Sequence, residues 1–269
     1  MEEKKKSNAG LIIFVVILLL ACVGMGTFIF INKDKLLTKD NNSINDNQKN
    51  NKTEEENVTF SDSELEEYIN YINPVSYGPA QEIYDVDSIN AKELSAREKI
   101  EYIGVYVLTK NRQEETQDGY TKNMIDEADV KSLVEEVYGP NTYERTTFNL
   151  KCSDYSFDEQ AKQYFYITGG CGGTSPLFVS STVKDYKATK TKLEITTAYA
   201  FYDGETNKFY KDYNKTVSLG EYTGSNTGYP ETFLKEYVNN NKDKLNTIVY
   251  TFESSDGENY YFTGFKNNK

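Results

Sequence analysis

Hydrophobic and polar positions divide the chain into three regimes. Residues 11–31, LIIFVVILLLACVGMGTFIFI, run for twenty-one side chains without a charge, behind a head (residues 1–10) that contains Lys4, Lys5 and Lys6. A bilayer core about 30 Å thick takes roughly 20 apolar residues, so the pattern predicts a membrane-spanning helix over 11–31. The pattern then reverses. Residues 32–59 are Asn, Lys, Asp and Glu with scarcely an apolar side chain, which cannot offset the entropy of ordering. They are predicted to be a flexible tether with a reach of about 30 Å.

Beyond residue 59 the period is first helical. Phe60-Ser61-Asp62-Ser63 opens a helix to about residue 72, stopped by Asn73-Pro74. Ser95-Ala96-Arg97-Glu98 has the spacing of a capping box, and Ile100, Ile103, Gly104, Val107 and Leu108 continue it as one amphipathic helix over 95–110. A third helix follows Asp126, with Val130, Leu133, Val134, Val137 and Tyr138 on one face, and ends at Gly139-Pro140.

From residue 143 the period becomes two. Leu193, Ile195, Thr197, Tyr199 and Phe201 alternate with Glu194, Thr196, Ala198 and Ala200, the pattern of a half-buried strand. Three aromatic strand pairs are joined by polar turns holding Asp158, Asp203 and Asp256, which is hairpin chemistry. One helix, 231–240, interrupts them, with Phe233, Leu234, Tyr237 and Val238 inward. The predicted fold of 60–269 is α+β: a helical part (60–140) and a β-rich part (141–269), with the helices packed on one face of an antiparallel meander.

Composition narrows the chemistry. The chain has no His and no Trp, which excludes Ser-His-Asp and Cys-His hydrolases, His-bearing zinc sites and His proton shuttles. Residues 1–59 hold eight acidic and eight basic side chains, so the whole net charge of −12 falls on 60–269. Such a domain repels phosphate backbones, and nucleic acid is not an expected partner. All 23 Tyr lie in the same region, a strand-building composition.

Leu94 to Ile100 as a capped helix, the helix from Asp129 to Gly139, and the loop Gly169-Gly170-Cys171-Gly172-Gly173-Thr174 resemble a group of membrane-anchored extracytoplasmic proteins of low-GC Gram-positive bacteria. That group has no assigned activity, so the resemblance implies an address and transfers no site.

Three stretches carry candidate chemistry. Leu19-Leu20-Ala21-Cys22 has the form of a bacterial lipobox, which would make Cys22 a lipidated residue. The apolar run continues for nine residues past it, however, which favours an uncleaved anchor in which Cys22 is an ordinary small side chain. Residues 169–176, GGCGGTSP, present Cys171 among four glycines. A Cys152–Cys171 disulfide across the 155–167 hairpin is the favoured reading. It closes a loop worth roughly 3 kcal/mol in the chain-entropy model and suits an oxidising exterior. A free structural thiol, an anion-binding nest and a reactive thiol are the alternatives, the last without a His to activate it. Asp85-Val86-Asp87 is a two-carboxylate cation candidate that lacks further oxygen ligands at fixed spacing and reads as a solvated loop. The sequence predicts no catalytic residue, no metal site and no cofactor.

The expected protein is therefore single-pass in the cell membrane, with its C-terminal domain extracytoplasmic. The expected function is non-enzymatic binding of an extracellular or cell-wall partner. The alternative is a carboxylate-dependent glycan hydrolase, for which nothing in the sequence selects a pair. A ten-residue head is too short to hold a signalling domain.

Overall fold

The structure, a computed structural model, describes residues 57–73, 83–110, 112–117, 120–150, 153–167, 177–224 and 230–269. The predicted span 11–31, nearly all of the tether, Cys22, Cys152, Cys171 and the loop 169–176 lie outside them. Among the described residues no helix is long and apolar enough to cross a membrane. The described residues belong to one compact unit, Glu54–Lys269. Its α+β class and antiparallel sheets agree with the sequence pattern.

Helix α1 (Asp62–Tyr71) and helix α2 (Ala96–Tyr102) both start at capping boxes, Ser61 with Glu64 and Ser95 with Glu98. In each the serine hydroxyl accepts from the N3 amide while the glutamate accepts from the serine amide, which satisfies two otherwise orphaned donors. The single helix expected over 95–110 is two. The chain breaks at Ile103 (φ −103, ψ 21) and resumes as α3 (Gly104–Thr109). The Val105 amide donates to the carbonyl of Asn73 at 2.9 Å instead of to its own helix. That bond ties α3 to the end of α1. Helix α4 (Glu127–Tyr138) buries all five residues of its predicted stripe and stops at Gly139, whose φ of 98 favours glycine. Glu136 joins three helices, accepting from Tyr71 Oη (3.2 Å) and Tyr106 Oη (2.7 Å). Helix α5 (Pro230–Asn241) completes the set.

The strands form two antiparallel sheets, not one meander. The smaller has the order β2-β3-β6-β5-β4, with β2 (Gln113–Gln117), β3 (Tyr120–Asp126), β4 (Phe148–Leu150), β5 (Ser153–Asp158) and β6 (Gln163–Ile167). The larger has the order β1-β12-β11-β8-β9-β10, with β7 on the other edge of β8. Its strands are β1 (Ser88–Asn90), β7 (Leu177–Ala188), β8 (Lys192–Asp203), β9 (Lys208–Tyr210), β10 (Ser218–Glu221), β11 (Asn246–Glu253) and β12 (Tyr261–Asn268). Strands β1, β2 and β3 fall in the segment whose pattern predicts helices. The polar run QEETQDGYTKNMID hides the pairing of β2 with β3, although Asp118-Gly119 is a hairpin signal.

One core cluster joins α1–α4 to both sheets, with Leu65, Ile103, Val134, Tyr164, Ile195 and Phe252 among its buried members. Helix α4 touches both β3 and β12, so the first four helices lie between the sheets. Helix α5 instead covers the opposite face of β7 and β8, where Leu234 and Val238 pack on Ala198, Ala200 and Tyr202. Helices thus occupy both faces of the larger sheet, and β8 is buried on both sides from Thr197 onward rather than half-buried. Its alanines leave room for the helix above them.

All three turn aspartates act as the hairpin chemistry predicts. Asp158, Asp203 and Asp256 each accept a backbone amide two residues ahead, at 2.9 Å. Asn57 and Val58, assigned by composition to the tether, already pair with Thr189 and Ala188 beside the β7–β8 turn.

Two substitutions test this packing. A Cβ on Gly264 would lie 2.2 Å from the backbone oxygen of Ile89 in the paired strand β1. Gly264→Ala is expected to lower unfolding stability by roughly 3 kcal/mol or to displace β1, measured by denaturant titration. Thr197 is fully buried and its hydroxyl has no hydrogen-bond partner among the described residues. Thr197→Val is expected to be neutral or to stabilise by up to about 1 kcal/mol in the same titration.

Candidate functional site

Strand β8 changes partners near its end. One edge pairs with β7 throughout, whereas the other pairs with β11 as far as Tyr199, opposite Asn246, and with β9 from Phe201, opposite Tyr210. Strands β11 and β9 therefore meet end to end along one edge. The chain cannot continue past β9 without running into β11, so it turns out at Lys211 and loops through residues 211–217 before returning as β10. A cleft of about 410 Å³ occupies the junction. Asn246 spans it, with Nδ2 donating to the Lys211 carbonyl at 3.1 Å.

Buried hydrogen bonds build one wall. Tyr199 Oη donates to Asn267 Oδ1 (2.8 Å), and Asn267 Nδ2 donates to the Tyr84 carbonyl (2.7 Å). The Asn267 amide donates to the Asp87 carbonyl at 2.8 Å, so segment 84–87 is laid across the end of β12. The Tyr84 ring packs 4.6 Å from that of Tyr199. Lys269 Nζ closes this side on the Asp85 carbonyl (2.6 Å) and the Asp87 carboxylate (2.9 Å).

The opposite wall is the 211–217 loop, fixed at two points. The Asp212 carboxylate accepts from the amide and hydroxyl of Thr216 (both 3.0 Å) and the amide of Val217 (2.9 Å), while Lys211 N donates to Val217 O (2.9 Å). Lys215 takes a left-handed φ of 58, uncommon for a side chain of its kind, and its ammonium lies 2.9 Å from the fully buried carboxylate of Asp203. The turn aspartate of one hairpin is thereby the anchor of the next loop.

Electrostatics define what this arrangement does chemically. Burial alone would raise the Asp212 pKa, but the donors of its loop outweigh burial and hold it below the usual range. Asp203 follows the same balance, with Lys215 as its main counterweight. Burial raises Tyr199 despite its hydrogen bonds to Asn267 and Asn246, and it pushes Tyr84 up to about 12, so both are neutral phenols at physiological pH. Acid-base glycan hydrolysis requires a carboxyl held protonated above its ordinary value. Among the described carboxylates with a resolved shift, every shift is downward.

A second concavity, about 360 Å³, lies beside α5. Its rings stack on one another, Phe209 on Tyr237 at 3.9 Å and Tyr222 on Phe233 at 4.1 Å, which covers their faces. It is the open rim of the small core beneath the helix.

Of the sequence candidates, only Asp85 reaches the cleft. Asp87 is ion-paired with Lys269. No group of three metal-ligating side chains occurs among the described residues. Cys22, Cys152 and Cys171 lie outside those residues. Sequence reasoning missed Asn246, Asn267, Lys211 and Asp212, and it read Tyr199 only as a strand residue. The one local signal was the run Lys211-Asp212-Tyr213-Asn214-Lys215, polar residues following an aromatic strand. No family model, no curated protein and no solved structure matches the chain.

The Asp203–Lys215 clamp predicts a definite pH dependence. Asp203 has a depressed folded pKa, so its contribution is present above the unfolded carboxylate pKa and lost as pH falls through the lower folded value. Lys215 has a raised folded pKa, so its contribution is present below the unfolded value and lost as pH rises through the folded one. Lys215→Met is expected to lower the melting temperature at pH 7 by a few degrees and to move the acid unfolding midpoint upward. It should also remove the clamp's share of the alkaline loss. Melting curves across pH check both limbs.

Proposed function

We propose that the chain is a cell-surface binding protein whose α+β domain is held outside the membrane and presents the cleft at the β8 junction to a ligand, without catalysing a reaction. The observation that carries this reading is the state of the cleft's acidic wall. Asp212 is an anion saturated with hydrogen bonds from its own loop, and the neighbouring phenols Tyr84 and Tyr199 are held neutral. Such groups orient and exclude water; they do not exchange protons with a substrate near neutral pH. The lysine with a resolved shift, Lys215, is raised, which is opposite to what a nucleophilic amine needs.

The address rests on the sequence: the apolar run 11–31, the polar stretch that follows it, and the resemblance to membrane-anchored ectodomains. The fold suits that address. Asn57 and Val58 join the large sheet beside Thr189, near the start of β8, whereas the cleft lies at Tyr199. Seven residues of strand, roughly 23 Å at about 3.3 Å each, separate the two. The acidic surface makes nucleic acid an unsuitable partner.

One feature favours the competing hydrolase reading: Asp85 and Asp212 border the same cleft. The two readings separate on incubation of the full-length chain with purified cell-wall glycan. No release of soluble sugar is expected. Release abolished by Asp85→Asn or Asp212→Asn would replace binding with hydrolysis.

A further inference from the structure

Two charges of the cleft have no side-chain partner among the described residues. Four charged side chains line it. Asp212 is saturated by its loop, and Lys269 is engaged with Asp87. The half-buried Lys211 ammonium and the exposed Asp85 carboxylate make no side-chain hydrogen bond or ion pair among the described residues, and no ion pair joins them to each other. Tyr213 Oη and the side-chain amide of Asn214, on the same loop, likewise make no side-chain hydrogen bond among the described residues. Among its four charged side chains, the cavity therefore presents one cation and one anion that are unpaired among the described residues: Lys211 on the 211–217 loop and Asp85 on the segment held by Asn267.

We infer that this cleft takes a small zwitterion of the α-amino-acid type, a free amino acid or short peptide, with its carboxylate toward Lys211 and its ammonium toward Asp85. The inference rests on the binding reading above. Three observations support it. A ligand with both charges pairs each wall, whereas a polyanion would meet two lysines, one of them already ion-paired with Asp87, two carboxylates and a chain of net charge −12. A volume of about 410 Å³ suits a small molecule and is too small for a folded partner. Both walls are fixed by internal hydrogen bonds, so little order has to be gained on binding.

The test is calorimetric titration of the full-length chain in detergent with the common L-amino acids, D-alanine and alanyl-alanine. N-acetyl-alanine methylamide and N-acetylglucosamine serve as uncharged comparisons. At least one zwitterion is expected to bind saturably, and the doubly blocked analogue about tenfold or more weaker. Lys211→Met and Asp85→Asn should each weaken binding by about tenfold with an unchanged melting temperature, while Lys211→Arg and Asp85→Glu retain most of it. Zwitterion binding indifferent to both neutralising variants would overturn the inference, as would an absence of zwitterion binding. N-acetylglucosamine binding alone would overturn the ligand class and keep a binding cleft. Turnover of glycan would instead overturn the binding reading itself.

Discussion

The hydrogen-bonding edge of β8 is the constraint on which the molecule depends. A strand edge offers one row of donors and acceptors, and here that row is divided between β11 and β9 at Ala200. Neither strand can extend into the other's register, so the chain must leave the sheet at Lys211. The cleft follows from that exit. On the other edge β7 pairs from Leu193 to Asp203, with one bulge between Val183 and Asp185, while the second edge changes partner. Burial on both faces, under α5 and against the central helices, makes β8 the strand least able to yield.

Around the junction the buried polar groups are satisfied by one another. Asn267 accepts from Tyr199 and donates to Tyr84, Asn246 donates to Lys211, and Asp203 receives both Lys215 and its own turn. A network of this kind is costly if one member is missing and rigid when complete. Among the described residues it leaves Lys211 and Asp85 as the cleft charges without a side-chain partner. Tyr155, Tyr164, Tyr199, Tyr202 and Tyr250 are core side chains.

Much of the local structure is legible in the residues. The capping boxes at Ser61 and Ser95, the stripe of α4 and the aspartate turns of three hairpins depend on neighbours within a few positions, which a linear pattern records. The break at Ile103 depends on a carbonyl thirty-two positions away from the donating amide, that of Asn73 for Val105. The covering of Ala198 and Ala200 depends on a helix that follows them by thirty residues or more. The cleft is less legible still. Tyr84, Tyr199, Asn246 and Asn267 come from four separate segments, and each reads alone as an ordinary strand or loop residue. Asp85 stands out in the sequence only for its proximity to Asp87, whereas in the structure it borders the same cleft as Lys211.

A preformed cleft requires the 211–217 loop to be as well ordered as the strand it borders. Hydrogen exchange of the full-length chain at neutral pH, resolved to single amides, measures this directly. The amides of Lys211, Thr216 and Val217, bonded to the Val217 carbonyl and the Asp212 carboxylate, should be protected to a degree approaching that of Ile195 to Phe201 in β8. Exchange of those three amides at the rate of an unstructured chain, with β8 still protected, would contradict a cleft built into the fold.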